Sequence, residues 1–246
     1  MSTKSPDPRA LPVRPGLARE CGRAWERLAL PGTWWSGAER LAIAAEARHA
    51  QSCGLCRRRK DALSPYGMEG AHDSLGRLSA PTLEIVHRIA TDAGRLTRKW
   101  LASMLDTGLT EEHYVEAVGV IAVVVALDTF DLALGRPQRD LPLARDGEPT
   151  RLRPARARRD IAWVSTVEPG QVAPDELDAF AVHGTKNIHR ALSLVPQEVL
   201  NFFDLDVELY MKDFEIRDFT REYRAISHAQ IELLAGRVSA LNGCYY

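Results

Sequence analysis

The chain has 246 residues, 45% of them hydrophobic, and a formal net charge of −1 at pH 7. That length accommodates two ordinary domains or one large one with a sizeable core, and the balanced charge excludes a global pull toward nucleic acid or an anionic membrane. No basic start followed by an apolar stretch marks a signal peptide, and four cysteines without an export signal point to a reducing, cytoplasmic compartment.

Residues 1–15 carry Pro6, Pro8, Pro12 and Pro15 among polar residues and read as a disordered tail. A first compact unit is expected over 16–135. Ser36 and Glu39 have capping-box spacing, and Leu41, Ala44, Ala45 and Ala47 follow as the apolar side of a helix. A later helix is expected from Thr110, with Glu111 and Glu112 in its first turn where the helix dipole favours acids. Its stripe is read as Tyr114, Val118, Ile121, Val125 and Leu132, and Gly135 and Pro137 stop it. Within it lies the longest apolar run, Ala117 to Leu127, too short to span a bilayer and suited to a buried core helix.

Residues 136–160 mix eight arginines with four prolines and no aromatics. They read as a solvated linker rather than an anion-binding arm. A second helical unit is expected over 161–246, with one apolar stripe at Leu192, Val195, Val199, Leu200 and Phe203 and another at Ile226, Leu234, Val238 and Leu241. No run of alternating strands is found, so the fold class is all-α. Leu41 to Cys53 can be laid over Glu232 to Cys244, a small-residue-rich helix and then a cysteine in each, which points to a domain duplication.

Cys53, Gly54, Leu55 and Cys56 form a CxxC. Where the first cysteine opens a helix, the unpaired amides and the dipole stabilise a thiolate, and the second sulfur can resolve an oxidised product into a disulfide. Arg57, Arg58 and Arg59 add positive potential. Two other readings stand beside the redox one: zinc, with His49 and His72 as the nearby histidines, and an inert buried pair. His49 and His228 are most simply ordinary helix residues, Cys21 has no assigned role, and the tryptophans are core or interface aromatics.

The stretch Ile231 to Tyr246, IELLAGRVSALNGCYY, resembles the active-site helix of the carboxymuconolactone decarboxylase and alkylhydroperoxidase D superfamily, and more closely its alkylhydroperoxidase-related selenoproteins. Residues 35–135 resemble one whole domain of that family, and 191–210 the helix leading into the next. The resemblance implies tandem all-α domains, homo-oligomers, and hydroperoxide reduction through a CxxC-type pair recharged by a protein or small-thiol electron donor. It implies no cofactor and no metal. The family also contains cofactor-free decarboxylases, which would not need the cysteines.

By the same resemblance Cys244 is the resolving cysteine and Glu232 the acid that helps generate a thiolate, although on pattern alone Glu232 fits a solvated helix face. The two would lie about 18 Å apart along a straight helix, so a shared site requires a break at Asn242-Gly243. The peroxide-reacting position falls just after Tyr246. A selenocysteine there, encoded by UGA, would leave the second domain incomplete and an apolar face exposed over 226–246. In the first domain Cys56 matches the peroxide-reacting position and Cys53 the resolving one, but Leu41 stands at the acid's position and Lys60 at the histidine's.

Overall fold

The computed structural model describes residues 11–244, and among them the chain is helical with no strand, as expected of an all-α protein. The first part holds α1 (Pro15–Arg27), α2 (Gly37–Ala50), α3 (Gly54–Asp61), α4 (Ala80–Asp92), α5 (Arg98–Leu105) and α6 (Glu111–Ala133). After a long extended stretch come α7 (Ala179–His183), α8 (Asn187–Arg190), α9 (Pro196–Leu209), α10 (Asp213–Arg217) and α11 (His228–Leu241). Residues 1–10 of the expected tail, and Tyr245 and Tyr246, lie outside the described residues. Pro15 opens α1, where its missing N–H costs nothing.

The local signals for α2 and α6 are realised atom by atom. Ser36 Oγ accepts from the Glu39 N–H and the Glu39 carboxylate accepts from the Ser36 N–H, a closed capping box. Thr110 caps α6, and Gly135 stops it in the left-handed region at φ +65°. No helix among the described residues is long and apolar enough to cross a membrane.

The stripe expected on α6 packs only in part. Ile121 is buried and Tyr114 and Val118 lie against the core, but Val125 and Leu132 are 41% and 77% exposed, and Ala117, Val120, Val124 and Leu127, outside the stripe, are buried. The reason is that α6 is the central helix, packed by α1, α2, α4 and α9. A helix apolar on most sides gives periodicity little contrast with which to locate a face.

One hydrophobic cluster runs from Leu17 and Trp25 through Ile43, Ile85 and Leu127 to Leu194, Val199 and Leu205. The stripe expected at Leu192, Val195, Val199 and Phe203 is therefore buried, with Leu200 packed against it, in the same core as α1, α2, α4, α5 and α6. The stripe expected at Ile226, Leu234, Val238 and Leu241 is not: all four are exposed, and α11 buries only His228 and Ile231. The Arg- and Pro-rich segment is mostly exposed, as a solvated stretch should be, yet it is held against the helices. The Arg145 and Arg151 N–H groups donate to the Ala29 and Thr33 carbonyls at 2.9 and 2.8 Å, and Trp25 Nε1 donates to the Asp140 carbonyl at 2.8 Å. Arg139, Arg153 and Arg159 pair with Asp131, Glu112 and Glu111 of α6. Composition gave its charges but not their partners, which lie far away in sequence.

Arg40 of α2 ties three helices together. It is 1% exposed, and its Nη1 donates to Glu116 of α6 at 2.5 Å and to Glu198 of α9 at 2.8 Å. Burial pushes the Glu116 carboxyl up, and the neighbouring Glu198 adds to this while Arg40 opposes it. Gly119 makes room for the approach of α9, since a Cβ there would meet Glu198 Cβ at 2.9 Å and Oε2 at 2.5 Å. Removing one partner of a buried ion pair leaves an uncompensated charge, at a cost of roughly 3–5 kcal/mol. Arg40→Met is expected to lower unfolding free energy by about that amount in urea titrations. A loss within ordinary surface-mutation range, about 0.5 kcal/mol, would mean the triad does not hold the helices.

Candidate functional site

The site forms where α2 ends and α3 begins. Helix α2 stops at Ala50, two residues turn, and Cys53 becomes the N-cap of α3 with an extended backbone at φ −64°, ψ 125°. Cys56 follows in the first turn, so both sulfurs gather at a helix N-terminus, as the CxxC spacing predicts. The Cys53 side chain makes no capping bond. Asp73 supplies it instead, its Oδ2 accepting from the Gly54 N–H at 2.8 Å. That contact anchors the loop after α3 over the helix start and brings the adjacent His72 to the sulfurs.

His72 Nδ1 lies 3.5 Å from both Cys53 Sγ and Cys56 Sγ. His87, from α4, approaches from the core side with its Nδ1 3.2 Å from Cys56 Sγ. The four donor atoms all lie within 4.8 Å of one another. Each imidazole is held from behind: His87 Nε2 is 3.0 Å from Glu46 Oε1, and His72 Nε2 is 2.7 Å from Glu84 Oε2. An ionised carboxylate only accepts, so each histidine donates its Nε2–H and turns Nδ1 to the sulfurs. Glu46 is fixed in turn by the Leu75 N–H at 3.1 Å, and Glu84 by Arg59 Nη1, 3.0 Å from each oxygen. Arg59, expected only to add positive potential, thus supports the orientation of His72.

The two histidines differ electrically. Burial opposes charge on His72, but hydrogen bonds to Cys56, Glu84 and Cys53 outweigh it and its pKa is pushed up to about 10. Burial likewise resists charge on Glu84, yet His72 and Arg59 bring its carboxyl down to about 2. Burial holds His87 below the ordinary imidazole value, and the charge on His72 adds to this against the pull of Glu46. For Cys53, burial pushes the thiol up, but the Cys56 backbone N–H, His72 and the Asp73 backbone N–H together hold it below the usual range. The two imidazoles are thus pulled in opposite directions, His72 toward its charged form beside a Cys53 thiol that is held low, and His87 toward its neutral form beside Cys56.

Of the residues singled out by sequence, the structure brings together Cys53, Cys56 and His72. His49 is half-buried on α2 and is not among the four clustered side chains. Leu41 packs against the core and Lys60 is exposed, so neither replaces the family acid or histidine. Glu46 and His87, neither of them singled out, are the carboxylate and imidazole that the fold brings to the side of Cys56. The only mark on His87 is its place beside Ile85 and Val86 on α4, whose buried side it shares. Cys244 and Glu232 contribute nothing to this cluster. Glu232 accepts from Tyr210 Oη at 2.6 Å and Cys244 is exposed. The break required near Asn242-Gly243 does occur: Gly243 has φ +61°, and the Cys244 N–H returns to the Ser239 carbonyl at 2.9 Å.

The chain matches no protein-family model, no curated protein and no solved structure. The site's chemistry therefore rests on its geometry. Because the folded-state pKa of Cys53 is depressed, its thiolate persists below the pH at which an ordinary cysteine, pKa about 8.5, protonates. Thiolate ultraviolet absorbance of the reduced, chelator-treated protein is expected to show a transition below that value. His72→Ala should move the transition upward, and an unchanged curve in that variant would remove His72 from the site's electrostatics.

Proposed function

We propose that Cys53 and Cys56 form a redox dithiol that reduces hydroperoxides, in keeping with the alkylhydroperoxidase-like resemblance of the sequence. The observation that carries the reading is the chain Glu46–His87–Cys56, with contacts of 3.0 and 3.2 Å. This is the arrangement of an acid that orients a base beside a nucleophile. His87 takes the proton of the Cys56 thiol, and Glu46 stabilises the imidazolium so formed. The Cys56 thiolate attacks the terminal oxygen of ROOH. The O–O bond breaks, Cys56 becomes a sulfenic acid, and the leaving alkoxide takes the proton from His87 as ROH. The Cys53 thiolate then attacks the sulfenic sulfur, forming the disulfide, and the departing hydroxide takes a proton from His72 as water. Two electrons leave the dithiol and two enter the peroxide, and an external thiol donor restores the reduced pair. The exposed stripe on α11 further supports self-association of the chain through that helix.

Cys53 and Cys56 are 0% and 3% exposed, so a peroxide reaches them only through local opening. Hydrogen peroxide is therefore expected to react faster than a bulky aryl hydroperoxide. The test is peroxide consumption by the reduced protein with dithiothreitol as recycling donor, with disulfide formation followed by mass spectrometry. Cys56→Ser should abolish turnover, and Glu46→Gln should slow it by roughly 10²-fold, the usual size of a general-base contribution. Undiminished consumption by Cys56→Ser would end the proposal.

A further inference from the structure

We infer that Cys53, Cys56, His72 and His87 are the four ligands of a tetrahedral zinc site in the reduced protein. The inference deepens the thiol-redox reading, because it concerns the same two sulfurs in their reduced state.

The argument is metrical. Zinc binds thiolate sulfur at about 2.3 Å and imidazole nitrogen at about 2.0–2.1 Å, so the S···N edges of a tetrahedral site measure about 3.5–3.6 Å. The three close S···N separations here are 3.5, 3.5 and 3.2 Å. All four donor atoms lie within 4.8 Å of one another, so one ion can reach them with small adjustments. The donor set, two soft thiolates and two imidazoles, suits zinc among the common divalent ions.

The surroundings fit as well. Each histidine offers Nδ1 inward and gives its Nε2–H to a carboxylate, Glu46 or Glu84, the outer arrangement typical of zinc-bound histidine. Glu46 and His87 are fully buried, so this second layer is part of the core. Two thiolates neutralise the ion's charge. The ligands come from the α2–α3 junction, the following loop and α4, so an ion would join three segments. Cys53, Leu55 and Cys56 form a small cluster separate from the main core. The sequence offered His49 and His72 as the nearby histidines, whereas the fold replaces His49 by His87.

The experiment uses the full chain, reduced under anaerobic conditions and stripped with chelator, and titrated with cobalt(II) and then zinc. The expected result is one equivalent of cobalt with the visible bands of a tetrahedral thiolate site, displaced stoichiometrically by zinc. Cys56→Ser and His72→Ala should each abolish that spectrum, and Glu84→Gln should weaken binding by roughly 10–100-fold. His49→Ala should bind as the parent does. Because His72 lies on a loop, its variant can be checked for native helical content by circular dichroism. Undisturbed cobalt binding in folded His72→Ala, or no stoichiometric binding by the reduced parent, overturns the inference. A reduced protein that takes up no metal but forms the disulfide with peroxide removes the zinc site and leaves the redox reading standing. A zinc-loaded protein whose thiols stay reduced and keep their ion under peroxide does the reverse.

Discussion

A single guanidinium shared by two buried carboxylates holds the architecture together. Arg40 lies between Glu116 and Glu198 and so joins α2 to the central helix α6 and to α9, which comes from the far half of the chain. A charge so deeply buried is tolerated only when paired and hydrogen-bonded, so the geometry at this point is tightly specified. It also places the site, because α2 carries Arg40 near its start, presents Glu46 to His87 further along, and ends just before Cys53. An error in the seating of α2 would displace Glu46 and the CxxC together.

The cluster around Cys53 and Cys56 illustrates how one donor set can meet the requirements of two kinds of chemistry. Lowering the pKa of a thiol requires nearby positive charge and hydrogen-bond donors, and binding a divalent cation requires deprotonated thiols and neutral imidazole nitrogens. Both requirements are met by histidines oriented from behind by carboxylates. His72 is drawn toward its charged form and so favours charge on the neighbouring Cys53 thiol, as a bound cation would. Close packing around the sulfurs favours a held ion, and the Glu46–His87–Cys56 chain favours proton transfer to and from a nucleophile.

The segment 136–160 and α11 show the two ways in which a stretch of chain departs from its local character. The first is rich in arginine and proline yet is held in place by backbone bonds to Ala29 and Thr33 and by acids on α6. The second is amphipathic by pattern yet leaves most of its apolar residues in solvent. In both cases the deciding quantity is the presence of a partner surface, which composition does not contain.

Much of the local structure is written in the sequence itself. The capping box at Ser36 and Glu39, the Thr110 cap, the Gly135 and Gly243 stops and the gathering of two sulfurs at a helix start all follow from groups a few residues apart, whose geometry is set by the backbone. The all-α class follows from the same short-range pattern. The tertiary structure alone decided which side of α6 is buried, that the stripe after Leu192 joins the first core, and that His87 completes the cysteine cluster in place of His49. Glu46 and Glu84 became part of the site for the same reason. These outcomes depend on contacts between groups tens of residues apart, and no fixed spacing links His87 to Cys56, 31 positions earlier. Local pattern specifies the ends of helices, whereas the neighbours of a side chain are chosen by the packing of the whole chain.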